Sequence, residues 1–292
     1  MTDQRLTLLF ALADDELVMG HRLSEWTGWV PYVEEDLAMS SIAQDEMGHA
    51  RALFEIAAAI DGSDVDALAL GREANDYRNA VICERPNRDY AYTAARHYLY
   101  DTADAVRLEA LQASTFKELV EVIGVLRLEE RYHVDHARVW FERLSTGPVE
   151  ARQRFADAMS VAIPEAMAIF EPLTGEDAML ADGTLPRSGE DMLATWLATI
   201  GADLEAVGLD AVLGSGSEPT VGEMVPTSSG ASELTDDARP LRVPGLERRD
   251  GRWVHAGEFS GAGGRQGRHS DDFPALWEEM TGLYRAHRGA SW

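Results

Sequence analysis

The sequence contains one arrangement twice. Glu46-Met47-Gly48-His49 begins 30 residues after Glu16, and Glu130-Arg131-Tyr132-His133 begins 29 residues after Asp101. Residues three apart share a helix face, so each Glu/His pair projects from one side of its segment. Both pairs interrupt apolar stripes. Met39, Ile42, Leu53, Ile56 and Ile60 flank the first; Leu119, Ile123, Leu126, Ala137 and Trp140 flank the second. Few folds tolerate this pattern, because an isolated charge is very costly to bury. Four long helices turned to one centre would place Glu16, Glu46, Asp101 and Glu130 together with His49 and His133. That is the ligand set of a dinuclear metal site in a four-helix bundle, where two divalent cations cancel four carboxylate charges. Oxygen-rich ligands with two imidazoles suit iron, with manganese the alternative. The same acids could instead pair with buried Arg or Tyr in a metal-free bundle. Asp104 and Glu109 share a helix with Asp101 and compete with it for the fourth carboxylate. Asp45 and Glu129, each four residues before a His, either orient the imidazoles or are solvated helix surface.

Helical periodicity predicts segments over 3–26, from Pro31 to about Ile60, 89–113, 115–144, 148–171 and 189–208, with one more around 65–82. The first carries Leu6, Leu9, Leu12, Glu16, Met19 and Leu23 on one stripe; the third bundle helix carries Ala94, Tyr98, Asp101, Ala105, Leu108 and Leu111. Tyr98 and Tyr132 read as core, and His97 and His136 as packing or surface residues. At 25–30 residues such helices span roughly 37–45 Å. The expected class is all-α, a four-helix bundle with extra helices over 1–208. A Gly-, Ser-, Thr- and Pro-rich linker or insertion over 209–246 follows, then an irregular extension over 247–292. That extension reads as a strand pair around Asp250-Gly251, a Gly261–Gly267 loop and a helix over 272–286. The loop sequence GAGGRQG can cradle a phosphate, but it follows no strand and reads as a structural turn. Arg239, Arg242, Arg248, Arg249 and Arg252 form a cluster that suits an acidic partner or a CoA phosphate, or relieves local repulsion.

Composition narrows the function. With a net charge of −25 and a pI near 4.6, the surface repels phosphate backbones and anionic membranes, so nucleic-acid and membrane roles are not expected. Cys83 is the only cysteine, which excludes an internal disulfide and Cys-based zinc or iron–sulfur sites. No apolar run approaches the length of a membrane span, and the start lacks the pattern of a signal peptide. A cytoplasmic protein is expected.

The paired motifs, the RLSEWTGWVPYVEEDLAM stretch and the ending GGRQGRHSDDFPALWEEMTGLYRAHRGASW together resemble the phenylacetyl-CoA epoxidase family of ferritin-like proteins, in particular its C-type member. The resemblance covers the N-terminal and central helices and the last 30 residues. It implies a subunit of a multicomponent ring-1,2-epoxidase of aerobic phenylacetate catabolism. In that complex a homologous A-type subunit holds the di-iron centre, and a separate reductase delivers electrons from NADPH. The substrate of the complex is an aromatic acyl-CoA. The family's C-type member resembles a bundle that has lost much of its ligand set, whereas this chain keeps all six residues. Two other functions compete with an oxygenase component: a non-catalytic subunit pairing with the catalytic one, and a separate di-metal oxidase or catalase.

Overall fold

The computed structural model describes residues 3–30, 32–209 and 261–289, together with the backbone of 246–249 and 252–255. Pro31, residues 210–245 of the expected linker, and the side chains of the Arg cluster lie outside the described residues.

Two long helical hairpins form the bundle. In the first, α1 (Gln4–Ser24) packs along α2 (Val33–Asp61); in the second, α5 (Tyr90–Leu111) packs along α6 (Lys117–Ser145). Each start has a local cause. The Asp3 carboxylate accepts from the Arg5 amide at α1, and the Asp89 carboxylate from the Tyr92 amide at α5, each satisfying one of the free donors of a first turn. Gly62, at φ 78°, ends α2 in the left-handed region, where a side chain would be strained.

The hairpins are joined by a long crossover. The single helix expected over 65–82 is instead α3 (Val65–Leu70), a 3-10 turn (Ala74–Asp76) and α4 (Val81–Glu84). Tertiary hydrogen bonds decided this: the Asp14 carboxylate accepts from the Arg78 amide at 2.7 Å, and the Asp15 carboxylate from the Ala80 amide at 2.7 Å. Those amides are drawn away from helical partners.

Beyond α6 the chain forms α7 (Val149–Ala166), a 3-10 turn (Met167–Phe170), α8 (Glu176–Asp182) and α9 (Gly189–Ala206). Periodicity alone did not reveal the short α8. α7 and α9 cover the outer side of α5. Phe155 of α7 also meets the Phe141 ring of α6 edge-on at 5.6 Å, and the Trp196 indole of α9 donates to the Thr102 hydroxyl of α5 at 3.0 Å. α5 is therefore buried around nearly its whole circumference, not on the one face its stripe implied. Fully burying Phe54 or Phe155 contributes roughly 1.5–3 kcal/mol each.

Strands β1 (Leu246–Arg249) and β2 (Arg252–His255) pair antiparallel, Leu246 opposite His255 and Arg249 opposite Arg252. The turn with Gly263 at φ 106° and Gly267 at φ 73° leads into α10 (Phe273–Ala286), which packs on α3. No helix among the described residues is long and apolar enough to cross a membrane.

Candidate metal centre

Glu16 comes from α1, Glu46 and His49 from α2, Asp101 from α5, and Glu130 and His133 from α6. All six are buried. Ligand atoms of Glu16, Glu46, His49 and Glu130 lie within 4.8 Å of one another. His133 Nδ1 joins them at 3.2 Å from Glu130 Oε1 and 3.6 Å from Glu46 Oε1. His49 Nδ1 lies 3.2 Å from the same Glu130 oxygen and 3.4 Å from Glu16 Oε2. Glu130 thus stands between the two imidazoles, whose rings stack with centroids 5.8 Å apart.

Asp101 is enclosed beside Glu130 and His133. Burial, then the Glu130 charge, pushes its carboxyl well above the ordinary range, against the opposing pull of His133. Its rival Asp104 is buried too, but a 2.6 Å contact binds it to Arg107. The other rival, Glu109, is exposed.

The outer faces of the imidazoles are held crosswise. His49 Nε2 lies 2.8 Å from Glu129, beside the second motif, and His133 Nε2 lies 3.4 Å from Asp45, beside the first. With Nε2 directed outward to a carboxylate, each Nδ1 faces the cluster. Asp45 and Glu129 were open between surface and orienting roles in the sequence. Each is partly exposed and reaches the histidine of the other hairpin, a pairing that sequence neighbours cannot reveal.

The polar atoms at the centre are under-used. Both oxygens of Glu46, Asp101 and Glu130, Glu16 Oε2, and Nδ1 of His49 and His133 are buried without an aligned hydrogen bond. Buried polar groups are nearly always satisfied, so this concentration of acceptors fits cations. Two divalent ions would take up the lone pairs that the protein leaves unpaired.

Protonation within the protein reflects the same crowding. Burial and the adjacent Glu16 carboxylate drive Glu46 well above its usual value. Burial opposes the charge on His49, yet Glu130 and Glu16 raise it to about 12; Glu130 and Asp101 likewise raise His133 to about 10. Burial acts to raise Glu130 as well, but the two imidazoles hold it down at about 2.

Three neighbours extend the site. The Tyr100 hydroxyl donates to Glu16 Oε1 at 3.3 Å. Tyr100 follows Leu99 away from the expected stripe, and only the full burial of α5 brings it inside. His97 Nε2 is 3.3 Å from Asp101 and 3.2 Å from His136 Nδ1; the i, i+4 spacing to Asp101 was its available signal. His136 in turn reaches Glu35 at 3.1 Å. Tyr98 is core, donating to Asp203. Tyr132, expected in the core, is 74% exposed, because it lies one residue before His133 and about 100° around α6.

Comparison with known proteins identifies the family. A family model described as phenylacetic acid catabolic protein matches residues 1–212. The C-type subunit of the 1,2-phenylacetyl-CoA epoxidase of Escherichia coli (strain K12) is 35% identical over 150 residues, 51% of this chain and 60% of that protein. The chain therefore spans about three fifths of the length of this relative in the matched region.

Proposed function

Because the chain belongs to the phenylacetic acid catabolic protein family, we propose that it is a subunit of a multicomponent ring-1,2-epoxidase acting on phenylacetyl-CoA. Its bundle holds a dinuclear site of Glu16, Glu46, His49, Asp101, Glu130 and His133. The observation that carries this reading is the set of buried carboxylate oxygens and Nδ1 atoms that converge without hydrogen-bond partners. Iron is the ion best suited to the donor set, with manganese the alternative. A pair of redox-active ions there supplies reduction of O2, using electrons from NADPH passed by a separate reductase.

The chain's own residues bind and orient. Glu130 lies between the two imidazoles and would help hold the ions. Glu129 and Asp45 hold the two rings with Nδ1 inward. The apolar packing of α1, α2, α5 and α6 keeps water from the centre and strengthens every charge interaction inside it. The partners are a homologous A-type subunit and the other subunits of a cytoplasmic complex.

A second reading has its own support. Val33 and Leu37 on α2, and Val125, Leu128 and Tyr132 on α6, are large apolar side chains left exposed, as expected of a surface that a partner protein covers. In that reading the chain is a non-catalytic scaffold.

Metal analysis of the purified full chain separates the two. About two ions per chain, the number the paired ligand set implies, and their loss in Glu46→Ala and His133→Ala, are expected. A folded chain without metal, whose Glu46→Ala variant supports full turnover of the assembled complex, would leave only the scaffold.

A further inference from the structure

His97, on α5, stands between the cluster and a carboxylate that the cluster does not use. Its Nε2 lies 3.2 Å from His136 Nδ1 on α6 and 3.3 Å from Asp101 Oδ2 on its own helix. His136 Nε2 lies 3.1 Å from Glu35 Oε2 on α2. Glu35 also accepts from the Trp140 indole at 2.7 Å and from the Tyr90 hydroxyl. Burial acts to raise the Glu35 pKa, but the hydrogen bonds from His136 and Tyr90 outweigh it and hold the group below its ordinary range. A row of four side chains from three helices thus runs from Glu35 to Asp101.

The direction of each hydrogen bond follows from the Glu35 end. An ionised carboxylate only accepts, so His136 donates through Nε2. Its Nδ1 then offers a lone pair, and the proton between the two rings belongs to His97 Nε2. The opposite arrangement puts the His97 proton on Nδ1, which is buried with no partner, and an unmet buried donor is costly. The His97 proton therefore has two acceptors at nearly equal distance. It lines up with only one: the contact with His136 is an aligned hydrogen bond, while both Asp101 oxygens lack one. Because the same nitrogen faces both neighbours, the ring cannot take a proton on one side and release it on the other. The row anchors; it does not relay.

We propose that Glu35 and His136 are positioning residues for the dinuclear site: they draw the His97 proton away from Asp101 and leave both Asp101 oxygens open to an ion. This deepens the proposed function and rests on it for the presence of the ions. Without His136, Asp101 is the acceptor left to that proton, and a ligand oxygen is occupied before an ion arrives.

The test begins with NMR of the chelator-treated full chain carrying nitrogen-labelled histidine, which reads the row with no ion present. Wild type should show a scalar coupling between two ring nitrogens, the mark of an N–H···N bond, and the coupling should vanish in His136→Phe. Affinity for ferrous and manganous ions, from chelator competition, is then compared in two variants. His136→Asn keeps a carbonyl oxygen near the Nδ1 position. His136→Phe keeps a ring to pack edge-on against His97, as the imidazole does with centroids 5.3 Å apart, but no acceptor. Affinity should fall about 10–100-fold in His136→Phe, the usual effect of losing a residue that orients a ligand, and stay near wild type in His136→Asn. A packing role predicts the reverse order, with Phe tolerated and Asn impaired; that order, or equal affinity across the three proteins, overturns the proposal. Absence of the coupling from wild type overturns it whether or not either variant folds, and ion binding in that case leaves the dinuclear site standing. A wild-type chain that shows the coupling but binds no ions defeats the dinuclear reading, and the positioning role with it.

Discussion

Glu46 has opposite energetic roles with and without cations. Both of its oxygens are buried and lack donors, so in the metal-free chain burial and the Glu16 carboxylate push its carboxyl to the neutral form, which destabilises the folded chain near neutral pH, where the unfolded chain ionises it. With ions at the cluster the same oxygens become ligands. Glu46→Gln is therefore expected to raise the melting temperature of chelator-treated protein while lowering that of metal-loaded protein. Thermal scans in chelator and in ferrous iron read the two signs. A variant that lowers both equally would mean that Glu46 is only a packing group. Legibility at this scale was mixed. The six cluster residues stood out by spacing, but Tyr100, His97 and the crossed Asp45 and Glu129 contacts did not, since each depends on which helix lies opposite.

At the scale of the element, two glycines show how helix packing sets the site. A Cβ on Gly20 of α1 would stand 3.0 Å from the Ala43 carbonyl and 3.0 Å from Glu46 Cβ. α1 and α2 therefore pack tightly beside a cluster residue, and Gly20→Ala must push them apart. A loss of about 1–3 kcal/mol is expected, as for overpacking of a filled core, together with weaker metal retention. Gly124→Ala on α6 meets open space and is expected to stabilise by about 0.5–1 kcal/mol through helix propensity. Denaturant unfolding of both variants checks the pair of signs. Helix existence was legible from apolar stripes, while the broken crossover was not. Asp14 and Asp15 read as polar interruptions of α1, yet they are the acceptors that organise α3 to α4.

At the scale of the molecule, Arg265 draws the C-terminal turn into the bundle. Its guanidinium donates to Asp15 at 2.7 and 2.9 Å and to the carbonyls of Ala11, Arg78 and Ile169 at 2.8–2.9 Å. Arg107 grips the same carboxylate. Burial raises the Asp15 pKa, but Arg265 and Arg107 outweigh it and hold the group below its ordinary 3.8. The stabilisation is thus fully present above about pH 4 and is lost as pH falls through the lowered pKa. Asp15→Asn leaves the buried Arg265 guanidinium without its counter-charge, while Arg107 keeps Asp104, and is expected to cost about 3–5 kcal/mol near neutrality. The variant should also show a shallower fall in melting temperature on acidification. Parallel pH curves for the two proteins would show that Asp15 does not set the acid limb.

The sequence by itself determined the helical class, the boundaries of the main helices to within a few residues, and the burial of Glu16, Glu46, His49, Asp101, Glu130 and His133 inside the bundle. These depend on local periodicity and on the high cost of placing charge on an apolar stripe, both written along the chain. The tertiary structure alone decided that α5 is enclosed on nearly all sides, that Glu129 and Asp45 serve the opposite hairpin's histidines, and that the GAGGRQG loop buries an arginine against Asp15. Each of these joins residues far apart in the chain, and their partners are chosen by the docking of whole helices rather than by any spacing within one.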